Sequence, residues 1–423
     1  MTTTPKMVDT LRRDAGAIIK RVLAESMPQH SAQRALEKHV FKGDVHMVAI
    51  GKAAWTMAKA ACDLLGSKLK SGVIITKYGH SHGALPNVEV VEAGHPISDE
   101  NTFLGTEKAL ALAEKLGPSD ELLFLVSGGG SALFEAPLEG ISLEDVVALN
   151  NQLMASGADI VEINMVRKRF SKVKAGRFAE LCRPAQVFAI VLSDVLGDRL
   201  DTIASGPAAA DTSTSDEAYA IVKKYGLKLT PLQMELLHRE TPKTADNVKT
   251  IITGSVRSLC ESAAASAKAL GFTPYVLTTS LNCEAADAGK LLAAIARDTQ
   301  QGATHFQRPC AIIAGGETVV KVTGNGKGGR NQELALSAAM GIAGITNTVI
   351  FSLGSDGTDG PTDAAGGIVD GDTVAKLAAQ GINIEKVLAN NDSYNALKAV
   401  NSLIITGPTG TNVNDVAVVL CAV

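Results

Sequence analysis

The chain has 423 residues, 46% hydrophobic and 20% charged, with a formal net charge of −4. That length exceeds one comfortable core, so two domains are expected. The charge balance excludes a protein that binds nucleic acid through bulk positive charge, and no apolar run approaches a membrane span.

The first stretch, "MTTTPKMVDTLRRDAGAIIKRVLAES", has amphipathic helical spacing and mixed charge. It lacks the continuous apolar core of a signal peptide. A second helix is expected near Ser31–His39. One pattern then recurs: a short β-rich run, a Gly-rich or polar loop, and a helical pattern. "VHMVAI" leads to "GKAAWTMAKAACDLL", and "SGVIITK" to the long loop "YGHSHGALPNVEVVEAGHPISDENT". "LLFLV" leads to "SGGGSALFEAP", and "VFAIVLS" to "DVLGDRLDTIASGPAAAD". Each apolar run is continuous rather than alternating, as expected for strands buried on both faces of a parallel sheet. A doubly wound α/β sheet follows, with right-handed crossovers. Polar residues and Pro interrupt the pattern at "LLHRETPKTADNVKT", which places a boundary near residue 240, giving domains 1–240 and 241–423. Beyond it, "ETVVKVTG" alternates like a half-exposed strand, so the second domain should mix parallel and antiparallel pairing. Six scattered cysteines (Cys62, Cys182, Cys260, Cys283, Cys310, Cys421) without CxxC spacing read as reduced thiols of a cytoplasmic protein.

Open α/β sheets bind ligands beyond the carboxyl ends of their strands. Lys52 falls there, just after Gly51 and at the start of a helix. A cation at that end opposes the helix dipole, and a bound phosphate would resolve the conflict. The alternative is a lysine that reaches into solvent. Gly128, Gly129 and Gly130, flanked by Ser127 and Ser131, expose N–H groups suited to an anion; the plainer reading is a tight turn. The loop is neither a Walker A motif nor a nucleophile elbow. Gly324, Gly326 and Gly329 match G-x-G-x-x-G, but that match alone is weak. Arg330 opens the following helix as Lys52 does, and Glu333 either caps that helix or meets a metal.

"INMVRKRFSKVKAGRF" clusters Arg167, Lys168, Arg169, Lys172, Lys174 and Arg177. Most are expected on a solvated helix face, with one or two lining an anion site. Asp194 directly follows a strand and is a candidate for metal or hydroxyl contact, whereas Asp198 and Asp201 read as turn caps. His80, His82 and His95 lack a third ligand nearby and do not suggest zinc. "GSDGTDGPTDAAGG" places Asp356, Asp359 and Asp363 three and four apart, which fails the EF-hand spacing. What remains is an acidic, Gly-rich loop leaving the end of a buried strand.

Several of these segments, in order, resemble the glycerate 2-kinase family, whose C-terminal region is called the MOFRL domain: "GKAAWTMA", "EAGHPISDE", "VSGGGSALFEAP", "LSDVLGDRLDTIASGP", "AGGETVVKVTGNGKGGRNQELALSAA" and "GSDGTDGPTDAAGG". The resemblance spans essentially the whole chain. It implies a Rossmann-like larger domain, a smaller mixed-sheet α/β domain with the MOFRL region at about 308–418, and an active site in the cleft between them. It implies transfer of the ATP γ-phosphoryl group to the 2-hydroxyl of D-glycerate with Mg²⁺ or another divalent cation, in a cytoplasmic protein that binds neither nucleic acid nor membrane; a homodimer is compatible with it. Lys52, Arg330 and Asp194 are then the expected catalytic residues. Gly51, the Ser127–Ser131 loop, Arg167 and Lys174 are expected to bind substrate or nucleotide, as are Glu317, Gly328, Gly329, Asn331 and Glu333. Asp356 and Asp194 would meet the metal. In "VKAGR", Ala175 stands where many relatives have a second glycine. The alternative reading is an NAD(P)H-dependent hydroxypyruvate reductase using the G-x-G-x-x-G turn, a label some relatives carry. It lacks a clear ribose-binding acid and a His–carboxylate pair.

Overall fold

A computed structural model describes residues 7–423; the first six residues of the expected N-terminal helix lie outside them. The described residues form two compact units, residues 31–253 and residues 7–30 with 254–423. The division expected near residue 240 therefore falls at 253/254, and the N-terminal helix belongs with the C-terminal unit. The polar stretch that suggested a linker is held in place. Thr241 Oγ1 donates to the buried Asp211 at 2.8 Å, and the chain continues into the last strand of the first sheet.

That sheet comprises β1 (Val45–Ile50), β2 (Leu69–Lys77), β3 (Val88–Ala93), β4 (Glu121–Val126), β5 (Gln186–Leu192) and β6 (Val248–Gly254). Their order is β3-β2-β1-β4-β5-β6, and β3–β2, β2–β1, β1–β4 and β4–β5 pair in parallel. This is the order of doubly wound dinucleotide-type sheets, whose switch point lies between β1 and β4. Both faces are covered. Ile50, Phe124 and Val191 pack on one side with Ala109 and Ala113 of the Glu100–Ala113 helix. Met47, Leu125 and Ile190 pack on the other with Met57, Ala58 and Ala61 of the Ala54–Leu65 helix. Successive residues of a strand point to opposite faces, so double burial makes the strand centres continuously apolar. The long loop after β2 contains β3, which the sequence reading missed. Its "VEVVEA" is an edge strand with a partly exposed face, so it lacks the continuous apolar signature of its neighbours.

The second sheet comprises β7 (Thr273–Leu281), β8 (Cys310–Gly316), β9 (Thr348–Gly354), β10 (Gly366–Asp370), β11 (Leu403–Ile404) and β12 (Asp415–Cys421). The order is β11-β10-β9-β12-β8-β7. β7–β8 is parallel and the other pairs antiparallel, the mixture expected. The Ala285–Gln300 and Arg330–Gly341 helices cover one face. The Met7–Ser26 and Val256–Ala269 helices pack on each other and on the sheet, and Arg12 pairs with the buried Asp370 at 2.5 Å. "ETVVKVTG" is not a strand: β8 stops at Gly316, and only Val319 forms an isolated bridge, to Glu284. Its alternation marks a surface crossing, with Val319 and Val322 exposed. No helix among the described residues is long and apolar enough to cross a membrane.

Candidate active site

In the unit of residues 31–253, the loops leaving β1 and β4 are stitched together at the switch point. Lys52 N donates to Gly128 O at 2.9 Å. Ser127 Oγ accepts from Ala53 N and donates to Ile50 O, each at 3.1 Å. Ser127 therefore joins the two loops and satisfies the start of the Ala54–Leu65 helix. Gly51, at φ +107°, could not carry a Cβ without meeting Ser127 O at 2.4 Å.

Each glycine of the triple is crowded by a different neighbour. A Cβ on Gly128 would lie 2.5 Å from Asp194 Oδ2. One on Gly129, already at φ +86°, would lie 2.9 Å from the His95 ring and 3.4 Å from Lys52 Cγ. Gly130 closes on Ala204. Lys52, His95 and Asp194 thus converge on one backbone stretch. Among the described residues, the amides of Gly128 and Gly129 donate to nothing, and the Lys52 ammonium has no hydrogen-bond partner. Burial, then the Lys52 charge, pushes the His95 imidazolium down from its ordinary value. Burial pushes the Asp194 carboxyl up, against the pull of Lys52.

His95, Asp194 and the glycine loop border a pocket of about 280 Å³, lined also by Asn164, Arg167, Thr202 and Ala204. Ala204 and Ser205 both adopt left-handed backbone, φ +51° and +61°. Such strain in non-glycine residues persists where the surroundings over-determine it. Here Ser205 Oγ lies 3.0 Å from Ser131 Oγ and donates to Asn164 Oδ1 at 3.3 Å. Ala175, at φ +57°, takes the conformation that favours glycine. Its amide reaches Ser205 O at 3.0 Å, so the close packing of that turn survives the missing glycine.

The basic run corrects the expectation of a solvated face. Lys168 pairs with Asp211 at 2.9 Å, and both are buried. Arg169 is 0% exposed and bonds Glu240 and Ser213. Lys174 is also 0% exposed; it pairs with Glu135 and donates to Ser131 O at 2.9 Å. Lys174 therefore supports the glycine loop from behind. Only Lys172 has the expected surface pairing, with Glu107. The run is basic because it threads a polar core whose acids lie far away in sequence.

The second cluster lies in the other unit, at one end of the second sheet. β12 runs antiparallel to β8 and β9, so its first residue, Asp415, sits beside Gly316 and Gly354 at their carboxyl ends. Asp415 accepts from Arg330 Nε at 2.5 Å and from Nη2 at 3.0 Å, and Glu317 lies 3.3 Å from Nη1. Burial works against the guanidinium, but Asp415, Glu317 and Asp359 together hold its pKa above the ordinary value. Asp415 was missed: in sequence it is one acid before an apolar run, and only the antiparallel register brings it to Arg330.

Asp359 accepts from Gln332 N at 2.9 Å, so it caps the Arg330–Gly341 helix. Glu333 does not; it accepts from Asn391 Nδ2 at 3.2 Å. The Asn331 side chain accepts from Ser352 Oγ at 2.6 Å inside the core. Gly328 and Gly329 would collide, as alanines, with Ser393 and Asp359, and Gly324 and Gly326 with Asn390 and Asp392. The G-x-G-x-x-G spacing is thus explained by close packing on the Asn390–Ser393 segment, which removes the main support for a dinucleotide turn. In the acidic loop, Asp356 is half-buried and accepts from Thr358 N at 3.0 Å. The exposed Asp363 accepts from Tyr394 at 2.7 Å.

Burial, with the Asp415 charge added, raises the Asp359 carboxyl from 3.8 to about 6. Between those values the folded chain keeps a proton that the unfolded chain releases. This group's stabilisation is therefore full below pH 3.8 and lost as pH rises through about 6. Asp359→Asn should gain thermal midpoint relative to wild type across that window and hold a constant offset above it. A constant difference through the window would contradict the assignment.

A doubly wound α/β unit whose switch point carries amides and a lysine without partners among the described residues belongs to the class of phosphate-handling α/β proteins. Two family profiles match the chain: a domain of unknown function, DUF4147, over residues 14–238, and the MOFRL family over residues 310–415. D-glycerate 2-kinase of Thermotoga maritima is 51% identical over 97% of this chain and 98% of its own. Glycerate 2-kinase of Pyrococcus horikoshii is 44% identical over 90% and 88%. The crystal structure of a glycerate kinase (EC 2.7.1.31) from Thermotoga maritima superposes with a TM-score of 0.95, covering 98% of this chain and 100% of that one. The chain belongs to the glycerate 2-kinase family.

Proposed function

We propose that the chain transfers the γ-phosphoryl group of ATP to the 2-hydroxyl of D-glycerate, giving 2-phosphoglycerate. The observation that carries the reading is the Lys52 ammonium beside the amides of Gly128 and Gly129, all without a partner among the described residues. Phosphoryl transfer needs mainly positioning and charge stabilisation, and preorganised donors of this kind supply both. Lys52 and the amides hold phosphoryl oxygens. His95, kept neutral by burial and Lys52, adds no competing charge.

Asp194 suits two tasks: accepting the hydroxyl proton or holding a divalent cation. Its half-buried carboxylate beside the glycine loop fits Mg²⁺, which takes one or two carboxylates and leaves its other positions to phosphates and water. No cluster of three or more His, Cys, Asp or Glu converges among the described residues, and Mg²⁺ needs none. When bound, the ion would neutralise phosphate charge. Asp356 is the second candidate ligand. Arg330, fixed by Asp415 and Glu317, is a second catalytic cation. Arg330→Lys keeps the charge but cannot serve two carboxylates in one plane, and should lower turnover by up to about 10²-fold. Unchanged steady-state turnover would remove Arg330 from the catalytic set. The reading places the protein in the cytoplasm, where ATP is available.

A coupled assay of ATP consumption with D-glycerate, run beside NADH oxidation with hydroxypyruvate, tests the reading. ATP-dependent product with a ³¹P resonance of a secondary phosphate ester is the expected result. NADH oxidation without ATP use, or phosphate on the primary hydroxyl, would overturn it.

A further inference from the structure

We propose that Arg167 and Asn164 bind the carboxylate of the acceptor, making the pocket in the unit of residues 31–253 selective for a small 2-hydroxy acid. This rests on the reading that the chain phosphorylates such an acid.

Ile160, Asn164 and Arg167 all line the pocket. Their spacing of four and three puts them on one face of the Ile160–Arg167 helix. That helix is fixed at its start by a capping box between Asp159 and Glu162. The Arg167 guanidinium makes no ion pair or hydrogen bond among the described residues. It contrasts with its neighbours Lys168, Arg169 and Lys174, each committed to an acid. Burial works against its charge, and Glu135 only partly offsets this. A partly desolvated cation without a partner is costly, and an anion in the pocket would remove that cost.

Asn164 is the second, independent sign. It is 6% exposed. Its Oδ1 accepts from Ser205 Oγ, which leaves Nδ2 without a partner among the described residues. Ser205 is itself held by Ser131 Oγ and by a strained left-handed backbone. The carboxamide is therefore oriented with its donors available, beside a guanidinium fork that matches the two oxygens of a carboxylate. Lys52 and the Gly128 and Gly129 amides already provide for phosphoryl oxygens in the same unit. A pocket of about 280 Å³ suits a three-carbon acid. In this arrangement Arg167 and Asn164 anchor one end of the acceptor, and its hydroxyl is left for the chemistry near Asp194.

The test compares D-glycerate with D-glyceramide, its neutral amide, as acceptors for wild type, Arg167→Ala and Arg167→Lys. Losing a charged hydrogen-bond pair should cost Arg167→Ala about 10- to 100-fold in kcat/KM for D-glycerate. KM for ATP and turnover of D-glyceramide should change far less, so the preference for the acid collapses. Arg167→Lys, which keeps the charge and the stem, should fall between. Equal losses on both acceptors, or a rise confined to the KM for ATP, would overturn the proposal and assign Arg167 to phosphate. If wild type phosphorylates neither acceptor, the kinase reading fails on its own. Equilibrium dialysis of D-glycerate then decides the carboxylate site: binding to wild type but not to Arg167→Ala upholds it, and equal or absent binding rejects it.

Discussion

Lys52→Ala should lower ATP-dependent turnover of D-glycerate by about 10²–10³-fold while the protein stays folded. The side chain makes no hydrogen bond among the described residues, and the contact that stitches the loops together, Lys52 N to Gly128 O, is a backbone bond that alanine retains. The loss should therefore fall on kcat and not on the thermal midpoint. The charge also leaves a signature on its neighbours. Lys52 helps to hold the His95 imidazolium down and opposes the upward shift of Asp194. In Lys52→Ala the His95 pKa should rise, and that of Asp194 should rise further, both readable by NMR titration. A variant that keeps more than a tenth of wild-type turnover would exclude Lys52 from the reaction.

Lys174→Met should be the most destabilising single change in this unit. It strands the Glu135 carboxylate in the core, where Oε1 already lacks a partner among the described residues. Removing one member of a buried pair costs about 3–5 kcal/mol, or about 10 °C of thermal midpoint in a unit of roughly this size. It also frees the Ser131 carbonyl that Lys174 holds, so activity should fall below the unfolding temperature too. Glu135→Leu with Lys174→Met should recover most of the stability, because two apolar side chains replace a pair whose desolvation roughly cancels its attraction. Recovery of stability without recovery of activity would separate the loop-supporting role from the packing role. If the single variant melts with wild type, the pair is energetically idle.

What could be read beforehand follows a physical division. The strands β1, β2, β4 and β5 announced themselves because double burial makes their centres continuous apolar runs, Met47–Ile50, Val73–Ile75, Leu122–Val126 and Val187–Leu192. Lys52 and the triple glycine announced themselves because a cation at a helix start and three adjacent glycines are each locally unfavourable. Edge strand β3 and the surface segment after β8 misled, since half-burial and surface crossing give the same alternation. The basic run misled for another reason: Lys168, Arg169 and Lys174 find their acids 39 to 71 residues away, and no local pattern encodes those partners. Asp415 and Asn164 carried no local signal. One reaches its place through antiparallel register, the other through a serine held in left-handed backbone.

The threading of the two sheets also sets an order of assembly on the ribosome. The unit of residues 31–253 is one continuous stretch of chain, so it can fold as soon as β6 emerges, with every partner already made. The other unit cannot. Its second sheet has β12 between β8 and β9, and one of its covering helices, Met7–Ser26, is made before any strand of that sheet. That helix carries Leu11, Ala15, Ile18 and Val22 on its apolar face, and it must wait through nearly four hundred residues of synthesis for the sheet it covers. At about 5–20 residues per second this is an exposure of roughly 20–80 s, long enough for a nascent-chain chaperone to be its first partner.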